Sequence, residues 1–186
     1  MSQSQTVAEK ELPRWDLSDL YSGVDDPKID EDLSKLEEAA VEFQKSYEGK
    51  LVKGELSSAD LKKALDRFES MISLSTRVGS YASLHYSTKT TDAKRGALLQ
   101  KIREKSSRVS TKLIFFDLEL GDVPEEVFSG YLAAEELAAY RHYLTVQREY
   151  AKYHLSQAEE TVLEETANCR GRAFRRLFTE TVARMK

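Results

Sequence analysis

A single cysteine, Cys169, rules out a disulfide within the chain and suits a reducing compartment. With no histidine near it in sequence, it reads as a loop or structural thiol, not a nucleophile. Proline occurs only three times, so long helices meet few breakers. The eight glycines are scattered singly, which leaves no glycine-rich loop to cradle a phosphate. No apolar run approaches the roughly 20 residues that a membrane-spanning helix needs. Residues 1–11 are polar and mixed in charge, without the apolar stretch of a secretory signal, and read as a disordered tail. The net charge of −4 offers no basic excess for tracking phosphates, so nucleic acid is not an expected partner. The local basic run Arg170, Arg172, Arg175 and Arg176 reads as a solvated helix face near glutamates. These absences favour a cytoplasmic, soluble chain with neither membrane nor nucleic acid as partner.

What the chain does carry is helical periodicity. Asp25 or Asp26 is positioned to cap a first helix, with Pro27 just inside it, where a missing N–H costs nothing. Ile29, Leu33, Leu36, Ala40, Phe43 and Tyr47 then step by fours and threes, an a/d seam that ends near Gly49. Ser57, with Asp60 three residues on, caps a second helix that is apolar on two faces. One stripe of that helix contains the small residues Ser75, Gly79 and Ala82, which predict a close crossing by a neighbouring helix. Thr91 or Asp92 caps a third helix with the seam Leu99, Ile102, Ser106, Val109, Leu113, Phe116 and Leu120, ending at Gly121. A short helical piece from Glu125 to Tyr131 follows. No segment alternates as a strand does. The expected fold is all-α: an antiparallel bundle of long helices followed by shorter C-terminal helices.

The chemistry-bearing residues are sparse. His85, His142 and His154 are followed by Tyr86, Tyr143 and Leu155, so no His-Glu pair exists, and no two histidines lie four apart. The acidic pairs Glu159-Glu160 and Glu164-Glu165 are accounted for by capping and solvation. Ser106-Ser107 and Ser110-Thr111 sit within a helix with no general base in view. No catalytic, cofactor-binding or metal-binding residue is therefore assigned. The nine tyrosines are the least ordinary feature: most read as core, with a minority suited to the wall of a peptide groove.

The most informative stretch is the C-terminal quarter, Tyr140 to Lys186. Tyr140, Leu144, Tyr150 and Tyr153 make an aromatic stripe. Ser156 and Glu159 form the S-x-x-E pattern of a capping box. Ala158, Val162 and Leu163 share one side of the next helix, and Asn168 to Gly171 is expected to break it, with Gly171 as the permissive helix end. A last helix is expected to turn Ala173, Phe174, Leu177, Phe178 and Val182 inward. The run from Leu155, Ser156, Glu159, Glu160 and Leu163 through Gly171, Ala173, Phe174, Leu177, Phe178 and Glu180 resembles the segment closing the N-terminal region of oligoendopeptidase F-type (M3 family) zinc metallopeptidases. Leu12-Pro13-Arg14-Trp15-Asp16-Leu17-Ser18-Asp19-Leu20-Tyr21 is similar to a motif near the start of that family, and as physical chemistry it is an amphipathic clamp for an irregular N-terminus.

The resemblance implies that residues 12–186 are the N-terminal helical domain of a peptidase that hydrolyses oligopeptides with zinc inside a deep channel. The domain would form one wall of that channel and restrict which substrates enter. The family's H-E-x-x-H, two imidazoles one turn apart with a glutamate beside the metal-bound water, would lie in a C-terminal catalytic domain that this chain lacks. The chain alone is thus expected to be inactive and to hold no zinc itself. Its expected partners are that catalytic domain, oligopeptide substrates and, for the isolated chain, a second copy. The rival reading is a stand-alone helical module that recruits partner proteins through its long seams.

Overall fold

Asp26 opens α1 (Pro27–Tyr47) by accepting the Lys28 N–H, and Pro27 occupies the first turn. In this computed structural model, which describes residues 16–185, each expected cap of the long helices is in place. Ser57 accepts from the Asp60 N–H at the start of α2 (Ser58–Ser87). Asp92 accepts from the N–H groups of Lys94 and Arg95 at the start of α3 (Ala93–Asp122). Gly49 takes a left-handed φ of 78° just past α1, where a side chain would be strained. The connections are short, so α1, α2 and α3 run up, down and up, each packed on the other two. Shorter helices follow: α4 (Glu125–Ala133), a 3-10 turn, α5 (Arg141–Tyr150), another 3-10 turn, α6 (Gln157–Ala167) and α7 (Gly171–Arg184). The fold is all-α, with no strand among the described residues.

The seams meet as their spacing requires. Ile29, Leu33, Leu36, Ala40 and Phe43 of α1 are buried, as are Leu99, Ile102, Val109, Leu113, Phe116 and Leu120 of α3. At one end of the bundle Phe43 packs on Phe68 and Phe116, with ring centroids 5.9 and 5.0 Å away, beneath Leu137 and Leu144. At the other end Val78, Tyr81, Leu98 and Ile102 enclose Tyr21, with Leu17, Leu20 and Val24 packed alongside. The clamp expected of the N-terminal segment is therefore present in Leu17, Leu20 and Tyr21. The tail expected to be disordered, residues 1–11, and Trp15 lie outside the described residues.

Polar groups fix the joints. Tyr21 donates its hydroxyl to the buried Asp32 at 2.9 Å, tying the segment before α1 to α1 itself. Glu119 of α3 accepts the N–H groups of Gly49 at 2.6 Å and Leu51 at 3.2 Å, holding the α1–α2 loop. Arg148 of α5 donates to the carbonyls of Gly121 at 2.6 Å and Val123 at 2.7 Å and pairs with Glu125. It thereby satisfies carbonyls that the end of α3 would otherwise leave unpaired.

Three expectations fail. Nothing lies within 4 Å of a Cβ placed on Gly79, so no helix crosses there. The close approach is at Gly121, where an added Cβ would come 2.8 Å from the Ala151 Cβ and 3.1 Å from the His154 ring. Gly171 opens α7 without a positive φ and does not act as a left-handed helix end. Finally, Phe174, Leu177 and Phe178 are 71, 60 and 69% exposed, and Val162, Leu163 and Val182 are exposed too. Periodicity shows that a helix has an apolar face; it does not show that the same chain supplies something to cover it.

Candidate functional site

The sequence-predicted features among the described residues each have a place in this fold, and few of them converge. Tyr81, Tyr86 and Tyr131 are buried, the last donating to the Leu56 carbonyl at 2.7 Å. The Tyr140 hydroxyl lies 2.8 Å from an Asp66 carboxylate oxygen and 2.6 Å from one of Glu69, and the two share its one proton. Burial, and then both carboxylates, raise its pKa, so it stays a neutral donor. Tyr150 and Tyr153 are exposed and meet edge to face at 6.2 Å. The tyrosines thus act mainly as struts, not as one groove wall.

The histidines stand on three separate features. His85 stacks on Tyr81 at 5.3 Å, and burial together with Arg95 lowers its pKa. His142 is on the exposed side of α5. His154 sits against Gly121 with its Nδ1 buried and without a hydrogen-bond partner in the described structure. Among the described residues no three His, Cys, Asp or Glu side chains gather closely enough to hold a metal ion. The donor set among the described residues therefore does not fit a catalytic zinc ion.

A concavity of about 870 Å³ lies where the N-terminal segment meets α2 and α3. Tyr21, Tyr81 and His85 form its floor and Lys89 and Arg95 its basic rim. Arg95 donates to the His85 carbonyl at 3.1 Å and to the Thr88 hydroxyl, so its guanidinium is committed to closing the α2–α3 turn. Tyr21 is pushed well above its ordinary pKa by burial and by Asp32. Tyr21 therefore holds its proton firmly and is a poor general base.

At the C-terminal end, Ser156 and Glu159 form the expected capping box on α6, with the Ser156 N–H donating to Glu159 at 2.9 Å. Ser107 of α3 donates to the Glu164 carbonyl at 3.1 Å, a tie between the bundle and α6. Within the basic run, Arg172 pairs with Glu164 at 3.2 Å and Arg176 with Glu180 at 2.7 Å. Arg170 and Arg175 are exposed. What sequence reasoning missed is that Arg103, on α3, faces the same cleft as Arg172 and Arg176. It falls next to a seam position, Ile102, but nothing local links it to residues some 70 positions later.

Residues 119–186 match the family model of Oligopeptidase F. The C-terminal third of the chain is thus similar to the N-terminal region of oligopeptidase F. It begins at Glu119, in the last turn of α3, and takes in Gly121, the Arg148 contacts, the capping box of α6 and all of α7. The motif around Asp16 to Tyr21 lies outside the matched residues. No curated protein and no solved structure matches the chain. No helix among the described residues is long and apolar enough to cross a membrane.

Proposed function

We propose that the chain serves as the N-terminal helical domain of an oligopeptide-cleaving zinc endopeptidase of the oligopeptidase F type. In this reading it forms one wall of a substrate channel, limits which peptides enter, and leaves zinc binding and catalysis to a C-terminal catalytic domain. The observation that carries the reading is where the uncovered apolar surface falls. Phe174, Leu177, Phe178 and Val182 of α7, with Val162 and Leu163 of α6, are exposed, and all lie in the oligopeptidase F segment. Scattered exposed apolar residues need no explanation, but two successive helices that leave their apolar faces open form a surface that favours a partner. The partner we assign is the rest of the peptidase.

The same open face also favours the second reading, a stand-alone module that recruits another protein. Sequencing the gene past the Lys186 codon and producing the whole product separates the two. An open frame reaching H-E-x-x-H supports the peptidase reading if its product cleaves a quenched oligopeptide and loses that activity when Phe174 and Phe178 become aspartate. A native stop after Lys186 overturns it in favour of the module. Full cleavage by the doubly substituted enzyme removes the role given to this face.

A further inference from the structure

Between α3 and the start of α7 lies a cleft of about 420 Å³. Three guanidinium-bearing side chains line it: Arg103 from α3 and Arg172 and Arg176 from α7. Their surroundings differ in a way that matters. Arg172 is held by both oxygens of Glu164, each at 3.2 Å, and by the side-chain amide oxygen of Asn168 at 3.3 Å. Arg176 is held by Glu180 at 2.7 Å, and Glu180 also accepts the Tyr86 hydroxyl at 3.2 Å. Arg103, half-buried, has neither an ion pair nor a hydrogen bond among the described residues. The cleft thus keeps one guanidinium uncompensated beside two others. Burial and the neighbouring arginines 172, 176 and 175 together disfavour the charged form of Arg103. An arginine stays protonated regardless, so the arrangement carries standing like-charge repulsion that a bound anion would relieve.

Two further observations point the same way. α7 begins without a side-chain cap, and its first turn, through Arg172 and Ala173, is part of the cleft wall. The free N–H groups of a helix start add a second favourable field for negative charge. Gly96 of α3 lies under Arg176, where a Cβ would come 3.3 Å from its Nη2 atom. The missing side chain lets Arg176 lie down on α3 towards the cleft. Ala173 and Leu177 make the remaining wall apolar.

The geometry points to an oxyanion-binding site centred on Arg103, taking a carboxylate or phosphate group and seating any apolar substituent beside it against Ala173 and Leu177. The planar fork of a guanidinium matches such a group bidentately. The site rests on residues of this chain alone and stands or falls independently of the peptidase reading. Its two sources are a free anion such as inorganic phosphate and the terminal carboxylate of a short peptide.

The test is titration calorimetry on the 186-residue chain with three probes: inorganic phosphate, an N-acetylated dipeptide ending in leucine, and that dipeptide as its C-terminal amide. Binding of phosphate and of the acid dipeptide alike identifies a free-anion site. Binding of the acid dipeptide, with both the amide and phosphate weak, identifies a peptide-carboxylate site. In either case Arg103→Gln should weaken binding by at least about tenfold. Arg103→Lys, which keeps the charge but not the fork, should fall in between. Because Arg103→Gln removes repulsion, its melting midpoint should equal or exceed that of the parent, so lost binding is not lost fold. A second readout needs no substitution. Cys169 is exposed and lines the same cleft, so a bound probe should slow its alkylation by iodoacetamide. The inference is overturned if no probe binds at millimolar concentration, or if binding survives Arg103→Gln unchanged while Cys169 reacts at its unliganded rate.

Discussion

The Tyr143 hydroxyl on α5 donates to the Asp117 carboxylate on α3 at 2.8 Å. Burial raises the pKa of Asp117 above its ordinary 3.8, against the opposing pull of this hydrogen bond and of His154. Tyr143 is pushed up as well, by burial and by the facing carboxylate, and so stays a donor across the physiological range. The folded protein therefore holds the Asp117 proton more tightly than the unfolded chain does. The resulting penalty is absent below pH 3.8, grows as pH rises through the window above it, and is complete beyond the folded pKa. Asp117→Asn should accordingly stabilise the protein at neutral pH, with the advantage shrinking as pH falls to 3.8. Denaturant melts of parent and variant across pH 3.5–7 (roughly the range over which an aspartate of raised pKa titrates) measure the gap, and a gap independent of pH would count against this account. Tyr143→Phe leaves the carboxylate unpaired and should cost about 1–3 kcal/mol.

Two glycines in long helices should respond in opposite ways. Gly79 in α2 has open space where a Cβ would stand. Gly79→Ala should therefore stabilise by about 1 kcal/mol, the difference in helix propensity. Gly121 in α3 would place its Cβ 2.8 Å from the Ala151 Cβ, which belongs to a short, fixed side chain. Gly121→Ala should overpack and destabilise by roughly 1–3 kcal/mol in spite of the better propensity. Matched thermal melts decide, and equal shifts of the same sign would show that the tight contact relaxes freely.

This pair shows where sequence reasoning stops. Capping is local chemistry, so Asp26, Ser57, Asp92 and Ser156 could be placed from their neighbours alone. The seams of α1 and α3 are strict enough that their buried faces followed from spacing. Which face of α2 meets a neighbour depends on the crossing geometry of distant segments, so the small residues around Gly79 predict a close contact that the structure has at Gly121 instead. The same limit hid Arg103. Its charge is unremarkable in sequence, and it becomes informative only when α7 folds back beside it. The apolar stripe of α7 was legible as a stripe, but what covers it was not.

The C-terminal helices should also be the least protected part of the chain. Neither α6 nor α7 contains a buried residue, whereas α1, α2 and α3 are rich in them. The hydrogen bonds that attach α6 and α7 to the bundle include Ser107 to the Glu164 carbonyl and Tyr86 to Glu180. Amides of α6 and α7 are expected to exchange with solvent deuterium well before those of the bundle. Ser156→Ala should speed exchange in α6 further, since a lost N-cap costs about 1 kcal/mol. The hydroxyl and N–H of Ser156 hold the Glu159 carboxyl below its ordinary 4.5. A lowered carboxyl contributes stability that is present above 4.5 and lost as pH falls past that value, so the effect of Ser156→Ala should fade in acid. Uniform protection from α1 to α7 would contradict this gradient.

Phe174 and Phe178 offer the most direct reading of the open face. They stand one turn apart on α7 and are 71 and 69% exposed. Residues four apart share a helix face, so the two rings make one continuous apolar strip, extended by Leu177 and Val182. A ring that touches little in its own chain contributes little to folding, and each Phe→Ser change should alter stability by no more than about 0.5 kcal/mol. By contrast Phe43→Ser, which removes a ring with no exposed surface from the aromatic cluster, should cost about 3–5 kcal/mol or prevent folding. The exposed strip should also bind a hydrophobic reporter dye, and the double change Phe174→Ser with Phe178→Ser should abolish most of that signal while leaving the melt in place. If the double variant instead unfolds at markedly lower temperature, α7 is packed against its own chain in solution and the surface assigned to the rest of the peptidase does not exist.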